Sequence, residues 1–523
     1  KKTDSNLTVV SRFKEVVSTY SDLVAVSDGK TALDYSALNN FANKIAWEIL
    51  GLRTLQTPSL IKPPIPLLFD QNVSVVASIL GVLKAGHAYT LLPSIEDEQK
   101  LISLLEALQT NILITDKELE DKGLCLAKAI PGRSQPLTVI AIDPHESIAQ
   151  FSNPQVETGV DDLASIVYEL DSNGRWRGAM HAHRTILHSV AISQKILNIQ
   201  PQDRLAVIHD SQFGPTLTGF HESLLAGAST YLVPSEITDQ NEFVDWIRQH
   251  QINHLDISTG LFAGEFDTLG LSDDLDTLKS IVANQALRQN FQLNWSKFSN
   301  QAIYIRCAST PETALIAHVT SESDDFLEDK NTFPVGLAAD DKNVFLLDEN
   351  QAPVAVGEEG TIHVGSRYLS LGYWNNPNLT AEFFKKDPSN PEYKIFDTGM
   401  LGRFESNGQL SLLNEPSWIG EEKVSLEELE KNEPSSTVDH AVIPAESELI
   451  EKESSEPDEQ LNLEDEPSLV TKENASFKAF EEKEESDPVL DGNNVDHTAK
   501  SDLLDMSFFE FEEPLNLEDE LSS

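Results

Sequence analysis

Cysteine, positive charge and long apolar runs are all scarce in this sequence, and each scarcity excludes a class of protein. Among 523 residues there are two cysteines, Cys125 and Cys307, and neither lies in a CxxC or Cys/His cluster. This pattern argues against a disulfide framework and a cysteine-based metal site. The apolar runs fall short of the roughly 18 residues that a membrane helix needs. We therefore expect a cytoplasmic protein in a reducing compartment, with no membrane span.

Positive charge is outnumbered by negative charge throughout. The chain has 38 Lys and Arg against 86 Asp and Glu, which gives a formal net charge of -48. Nucleic acids and anionic membranes are themselves polyanions, so this balance disfavours both as partners. Proteins with basic surfaces are the expected partners. The chain begins KKTDSN, without Met and without an apolar stretch of signal-peptide length, which leaves open whether residue 1 is the native N-terminus.

The C-terminal sequence carries a large part of the negative charge. Residues 441–523 contain 26 acidic and 5 basic residues and show little apolar periodicity. Low hydrophobicity with high net charge is typical of chains that cannot form a core. We expect a disordered acidic tail over residues 446–523.

Two short motifs each occur twice in that tail. LNLEDE at 461–466 recurs at 515–520, and SFKAFEE at 476–482 recurs in its spacing as SFFEFEE at 507–513. Apolar anchors with acidic flanks suit a segment that folds into a groove on a basic protein partner. The alternative is low-complexity drift around a solvating tail.

The rest of the chain alternates short strand-like and helix-like patterns. LAVI at 205–208 and SIVA at 280–283 predict strands, and FVDWIR at 243–248 predicts a helix. This alternation indicates an α/β fold with a largely parallel sheet. Turn signals between short strands from about residue 335 to 408 indicate a small β-rich subdomain.

Several separated segments match a known family in order. Residues 33–38 read LDYSAL, 83–89 read LKAGHAY, 360–365 read GTIHVG, and 371–383 read LGYWNNPNLTAEF. Together they resemble the signature segments of the adenylate-forming (AMP-binding) superfamily, which includes acyl-CoA synthetases and peptide-synthetase adenylation domains.

The resemblance implies a division of the chain and a reaction. It places two α/β subdomains at 1–335, a β-barrel subdomain at 336–408, and a hinge with a vestigial C-terminal domain at 409–445. Members of the superfamily join a carboxylate to the α-phosphate of ATP, so ATP and Mg are the implied cofactors if activity is retained. No cofactor is certain from the sequence.

The phosphate loop of the family is matched by YELDSNGRWRG at 168–178. The retained positions of this loop are Ser172, Gly174, Arg177 and Gly178. Glu169 and Asp171 bring carboxylates to a site for pyrophosphate, and like charges 4 Å apart repel by about 4 kcal/mol at an effective dielectric near 20. Either these carboxylates pair locally with Arg175 and Arg177, or the loop is a rebuilt phosphate site.

The next family segment, YGPTE, is matched by ASTPE at 308–312, which loses the aromatic residue that the resemblance places on adenine. The resemblance makes Glu312 the candidate magnesium ligand, and the alternative is a solvated or helix-capping carboxylate. The segment at 283–287, ANQAL, lacks both glycines and the glutamate of the family's GGEAL.

A further substitution falls in FDTGMLGR at 396–403. Thr398 and Gly399 keep the family pattern, but Met400 replaces the aspartate that the resemblance assigns to the ribose hydroxyls. A hydrogen bond to a charged group contributes roughly 1.5–3 kcal/mol. Asp397 is three residues away, and odd spacing in an extended segment points it to the opposite face.

The catalytic lysine of the family's C-terminal domain has no counterpart downstream. The match fades after about residue 430, so the chain resembles a degenerate member that lacks most of that domain. Removing one such charge-stabilising donor commonly costs about 10²–10³ in rate. No catalytic residue is intact, and Arg177 and Glu312 are vestigial candidates.

Two histidines lie near the implied ligand site. His183 falls on the family's SH position after the phosphate loop, and His221 lies near the implied acyl pocket. Each either contacts a ligand or is a core histidine with satisfied hydrogen bonds. Phe213 is followed by Gly214, whereas amino-acid-activating relatives carry Asp there, so a free amino acid is disfavoured as substrate.

Three hypotheses for the function follow. The first is a catalytically impaired or inactive scaffold or ligand-binding core that presents an acidic docking tail. The second is an active ligase that adenylates a fatty or aryl acid with altered nucleotide contacts. The third is a split enzyme that a partner chain completes.

Overall fold

The computed structural model describes residues 7–52, 62–92, 94, 96–133, 137–144, 150–170, 175–207, 219–234, 236–237, 240–256, 275–284, 303–321 and 333–413. The chain divides into two units, residues 1–433 and 434–523, and all described residues belong to the first. The predicted vestigial C-terminal domain beyond residue 413, the tail and its four motifs therefore lie outside the described residues.

Helices and strands alternate along the described chain. The helices are α1 (Val9–Tyr20), α2 (Tyr35–Gly51), α3 (Val73–Lys84), α4 (Glu98–Leu108), α5 (Glu120–Ala129), α6 (His183–Leu197), α7 (Gly219–Leu224), α8 (Gln240–His250) and α9 (Pro377–Phe383). Helix starts follow local capping chemistry. Asn376, for example, accepts the Leu379 N–H ahead of α9, whose first residue is proline.

The strands of the first half are β1 (Val24–Ser27), β2 (Ala32–Asp34), β3 (Ile65–Leu68), β4 (Tyr89–Leu92), β5 (Ile112–Asp116), β6 (Thr138–Ile142), β7 (Leu163–Leu170), β8 (Trp176–Ala182), β9 (Arg204–Val207) and β10 (Ser229–Leu232). Those of the second half are β11 (His254–Asp256), β12 (Ser280–Asn284), β13 (Ile303–Thr310), β14 (Ala314–Ser321), β15 (Phe333–Ala338), β16 (Asn343–Leu347), β17 (Glu359–Ser366), β18 (Phe384–Lys386), β19 (Lys394–Phe404) and β20 (Leu410–Leu412).

These strands form two sheets. The smaller sheet has six strands in the order β6-β5-β3-β4-β7-β8 and is parallel except for the β7–β8 pair. The larger sheet has fourteen strands, and its parallel part runs β13-β12-β11-β9-β10-β1. The predicted α/β fold with largely parallel sheets is therefore confirmed.

The larger sheet continues past β13 as an antiparallel region in the order β14-β15-β20-β19-β17-β16, with β18 on β19. Its buried side chains form a hydrophobic cluster of their own that includes Val335, Ile362, Phe396 and Met400. This antiparallel region runs from Ala314 in β14 to Leu412 in β20 and includes residues 335–408, where the sequence indicated short strands.

Most of the remaining core lies around α2 and α3. Twelve residues of α3 are buried, because this helix packs between its neighbours on nearly every side. Lys84 ends that helix and is itself buried, and its ammonium group donates hydrogen bonds to the side-chain oxygens of Asn39, Asn43 and Asn153. No helix in the described part of the chain is long and apolar enough to span a bilayer.

The open edge of β8 is covered by a segment from the antiparallel region. Met180 donates its N–H to the Gly372 carbonyl at 2.9 Å, and Leu371 donates to the Met180 carbonyl at 2.7 Å. Trp374 donates to the Gly178 carbonyl at 2.8 Å. Residues 371–374 therefore extend the six-stranded sheet and fix the antiparallel region against β8.

Candidate functional site

The candidate site lies where three parts of the fold meet. The β7–β8 hairpin flanks the segment that resembles the phosphate loop, and Glu169 faces Arg177 across its two strands. The turn between β13 and β14 supplies Glu312, and the segment covering β8 supplies Tyr373. Ser172, Gly174 and Asp171 lie outside the described residues, whereas Gly178 lies in β8.

Arg177 and Glu312 form a buried ion pair. Nη2 of Arg177 lies 3.2 Å from Oε1 of Glu312, and the two side chains are 5% and 2% exposed. The Tyr373 hydroxyl donates to the same Glu312 oxygen at 2.7 Å. The guanidinium carbon lies 5.3 Å from the centre of the Tyr373 ring and 5.8 Å from that of Phe383. Aromatic rings stabilise a cation in this position.

The burial of these charges bears on alternatives that the sequence left open. Glu312 is neither solvated nor a helix cap, because it is almost completely buried and ion-paired. Arg177 is not confined to partners in its own hairpin, because its ion pair crosses to Glu312. A buried carboxylate needs a cation or several hydrogen bonds. Arg177 and Tyr373 supply a cation and a hydrogen bond to Glu312 Oε1. Glu312 Oε2 is buried without a hydrogen-bond partner.

Glu169 adds a second carboxylate beside the pair. Burial is the main cause that raises the pKa of Glu169, to about 8, and the negative charge of Glu312 raises it further while Arg177 opposes both. Protonation of Glu169 would leave Arg177 and Glu312 as a pair of opposite charges.

Met400 lies in the hydrophobic core of the antiparallel region. Its side chain is fully buried in β19, along with Phe396 and Thr398 on the same face. The Thr398 hydroxyl donates to the Ile362 carbonyl at 2.8 Å, and Gly399 has a φ of +65°. A core thioether offers no useful acceptor to a ribose hydroxyl.

Asp397 lies on the opposite face of β19, as its spacing from Met400 predicted. Its side chain is 39% exposed, and its Oδ2 lies 3.7 Å from His363 Nε2. Its other oxygen accepts the Gly399 N–H at 3.0 Å. This carboxylate therefore does not replace an acceptor at position 400.

The two candidate histidines are buried. His183 begins α6 and is 1% exposed. Its Nδ1 accepts the Val9 N–H at 3.4 Å, and burial lowers its pKa to about 4. This contact supports the prediction of a satisfied core histidine. His221 in α7 is 2% exposed, and its ring lies 6.3 Å from that of Tyr89. Phe213 and Gly214 lie outside the described residues.

Sequence reasoning missed the role of Tyr373. The residue was recognised within a segment with structural signatures, but nothing in the local sequence links it to Glu312, 61 positions away. Among the described residues, no group of three or more His, Cys, Asp or Glu side chains is placed to hold a metal ion. Residues 285–287 of the predicted adenine segment lie outside the described part.

Comparison with known proteins identifies the family. Residues 13–374 match the family model described as "AMP-binding enzyme". This stretch is more than half of the chain, so the protein belongs to the AMP-binding, adenylate-forming family. The resemblance expected from the sequence is confirmed.

The curated relatives include two synthases. The chain is 25% identical over 402 residues to tyrocidine synthase 1 from Brevibacillus parabrevis, covering 77% of this chain and 35% of that protein. It is 27% identical over 419 residues to bacitracin synthase 3 from Bacillus licheniformis, covering 79% and 6%. The chain therefore spans about a third or less of the length of these relatives.

Solved structures confirm the fold. The artificially fused di-domain NpsA-ThdA from Klebsiella oxytoca superposes with a TM-score of 0.65 at 20% identity, covering 79% of this chain and 80% of that one. An AMPPNP-bound form of the peptide synthetase FmoA3 also superposes with a TM-score of 0.65 at 20% identity, covering 78% of this chain and 43% of that one.

Proposed function

We propose that this chain is a catalytically impaired or inactive adenylate-forming protein that acts as a scaffold or ligand-binding core. The observation that carries the proposal is the buried Arg177–Glu312 pair with Tyr373 on the same carboxylate oxygen. A cation that is already neutralised and buried attracts a triphosphate weakly.

The ribose position supports the same proposal. Met400 is fully buried among apolar side chains, and Asp397 is turned to the other face of its strand. The described residues at these positions do not fit ATP in the manner implied by the family resemblance. We therefore assign no step of a reaction to ATP or Mg in this protein.

An active ligase that adenylates a fatty or aryl acid, completed by a partner chain, is the second candidate. It is favoured by the Glu312 Oε2 atom, which is buried without a hydrogen-bond partner and would suit a bound cation. Glu312 is the residue that would hold Mg in that case. Arg177 and Tyr373 contact the other oxygen of the same carboxylate, Oε1.

Pyrophosphate exchange separates the two candidates. The full chain is assayed with Mg-ATP and labelled pyrophosphate across a panel of fatty, aryl and amino acids, with an active adenylation domain as reference. We expect no exchange above the background without protein, and no saturable heat when Mg-ATP is titrated in a calorimeter. Robust exchange with any acid would establish the ligase.

The acidic tail completes the proposal. We propose that the motifs at 461–466, 476–482, 507–513 and 515–520 bind a protein partner with a basic or grooved surface. The negative charge of the tail and the aromatic residues of two motifs support this assignment. The predicted cytoplasmic location would give the tail access to such a partner.

A further inference from the structure

A chain of hydrogen-bonded side chains lies at the amino ends of three parallel strands. Asp203 immediately precedes β9, His254 begins β11, and Ser280 begins β12 directly after Lys279. β11 pairs with β9 on one side and with β12 on the other. Parallel strands are connected by crossovers rather than by hairpin turns. These side chains therefore join strand ends that are far apart in sequence, and we call the four residues the strand-end network.

The contacts of the strand-end network are short, and most of them are buried. His254 Nδ1 lies 2.8 Å from Ser280 Oγ, and His254 Nε2 lies 3.1 Å from Asp203 Oδ2. Lys279 Nζ donates to Asp203 Oδ1 at 2.6 Å, and the Gln200 N–H donates to Asp203 Oδ2 at 2.8 Å. The side chains of His254 and Asp203 are 3% and 7% exposed, whereas that of Lys279 is 51% exposed. Ser280 is also buried. One ammonium group thus reaches the buried carboxylate from the surface.

The hydrogen-bond donors and acceptors of the network match when His254 is neutral. Burial opposes ionisation of Asp203, but the hydrogen bonds from Lys279, the Gln200 N–H and His254 together lower the pKa of this carboxyl group. An ionised carboxylate only accepts hydrogen bonds, so Nε2 of His254 carries the ring proton. Nδ1 then accepts a hydrogen bond from the Ser280 hydroxyl. Lys279 balances the single negative charge of Asp203.

A second proton on His254 disturbs this match in two ways. Nδ1 becomes a donor, so the Ser280 hydroxyl has to turn and accept, and the hydroxyl proton loses its acceptor. The imidazolium also adds a second positive charge beside a carboxylate that Lys279 already neutralises, in a place shielded from water. Burial lowers the pKa of His254, Asp203 opposes this effect, and Lys279 adds to it.

The lowered pKa of His254 determines the sign of the pH dependence. The unfolded chain binds this proton near the ordinary pKa of 6.5, which is above the pKa in the folded chain. The stability that the neutral network contributes is therefore present above pH 6.5 and falls as the pH decreases below it. Asp203, whose pKa is lowered from 3.8, loses its contribution only below about that pH. The two effects are therefore separated on the pH scale.

Other charged and titratable groups lie close to the network. Arg204 follows Asp203, and its Nη1 donates to the His250 carbonyl at 2.7 Å. The His250 side chain titrates as well, with a pKa lowered by burial and by Arg204. Asp256 is two residues beyond His254 on the same face of β11. His250 therefore has to be tested beside His254.

We propose that the strand-end network is an acid-sensitive connection, which holds the amino ends of β9, β11 and β12 together at neutral pH and weakens when His254 binds a second proton. Acidification would then loosen one part of the larger sheet. Ligands of open α/β sheets bind at the carboxyl ends of the strands, and the network lies at the opposite ends. The proposed response is therefore separate from the Arg177–Glu312 pair and does not depend on nucleotide binding.

Hydrogen exchange of the full chain, measured by mass spectrometry, tests the proposal. Exchange is compared between about pH 7.5 and about pH 5.5 and corrected for the intrinsic pH dependence of amide exchange. We expect peptides that contain residues 204–207, 254–256 and 280–284 to lose protection at the lower pH by up to about tenfold. This limit follows because the lower pH is about one unit below the ordinary pKa of His254.

Three variants assign the response to the network. His254→Gln should remove most of it, because an amide does not titrate in this range. Lys279→Met should reduce it, since the imidazolium would then be the cation that pairs with Asp203. His250→Gln is the matched control, because it removes a nearby histidine with a lowered pKa that lies outside the network. This control should keep the wild-type response.

Three outcomes would overturn the proposal. They are unchanged protection of the three strands between the two pH values in the wild type, the same acid response in His254→Gln and the wild type, and a larger response in Lys279→Met. If His254→Gln does not fold, Lys279→Met still decides, because the Lys279 side chain is half exposed. Pyrophosphate exchange is measured separately, so a failure here is distinguishable from a failure of the proposed function.

Discussion

At the scale of single residues, the ion-pair partner of Arg177 defines the candidate site. Arg177 lies opposite Glu169 in the β7–β8 hairpin. Its guanidinium group forms an ion pair with Glu312, which comes from the other sheet. Tyr373 reinforces this pair by donating to the same oxygen. A pair of this kind is costly to break from one side, because the remaining charge stays buried.

We expect Arg177→Met to lower the free energy of unfolding by roughly 3–5 kcal/mol, since Glu312 would lose its cation. The double variant Arg177→Met, Glu312→Leu should recover much of this loss, because it removes both charges together. Urea denaturation of the single and double variants measures the coupling. Additive losses would contradict the buried pair. Lys30→Met, from an exposed pair with Glu236, is the control and should change stability by less than about 1 kcal/mol.

At the scale of elements, Gly372 allows the segment over β8 to approach closely. It has a φ of +125°, and a Cβ placed there would lie 2.4 Å from Thr380 Cγ2. Thr380 in turn accepts the Tyr373 N–H through its hydroxyl at 2.9 Å. The same glycine therefore controls both the edge of the six-stranded sheet and the position of the Tyr373 hydroxyl at Glu312.

We expect Gly372→Ala to destabilise the protein by more than Gly408→Ala. Gly408 also has a positive φ, of +81°, but a Cβ there meets nothing within 4 Å. Gly408→Ala should therefore cost only the backbone term, roughly 1–2 kcal/mol. Thermal and urea denaturation of both variants isolates the steric contribution. Equal losses would show that residues 371–374 tolerate displacement from β8.

The sequence predicted elements better than it predicted contacts between them. The strand expected at 280–283 is β12, and the helix at 243–248 lies within α8, because alternation and helical periodicity are local properties. The placement of Asp397 on the strand face opposite Met400 also followed from strand spacing. The partners of Glu312 could not be predicted from the sequence, because they come from β8 and from the segment covering it.

At the scale of the whole molecule, both the described part of the chain and the C-terminal sequence carry a net negative charge, and the density of that charge is higher in the C-terminal sequence. Residues 1–413 contain 52 acidic and 31 basic residues, and residues 414–523 contain 34 acidic and 7 basic residues. Acidic segments are attracted to basic surfaces and repelled by acidic ones. This balance favours a separate basic partner for the tail motifs.

We expect a partner captured by the full chain to be lost when five tail aromatics are replaced by alanine. These residues are Phe477, Phe480, Phe508, Phe509 and Phe511. The net charge is unchanged in this variant, so the loss would report the apolar anchors, whereas release by added salt would report the charge. Affinity capture followed by titration measures both effects. Equal capture by the variant would leave charge alone as the cause and contradict docking through the motifs.

The backbone hydrogen bonds between residues 371–374 and β8 also affect association between copies of the protein. A strand at the end of a sheet offers unpaired amide and carbonyl groups to any passing chain. With β8 covered, the six-stranded sheet has one fewer place where two copies could join edge to edge. This protection of the sheet edge does not depend on whether the protein catalyses a reaction.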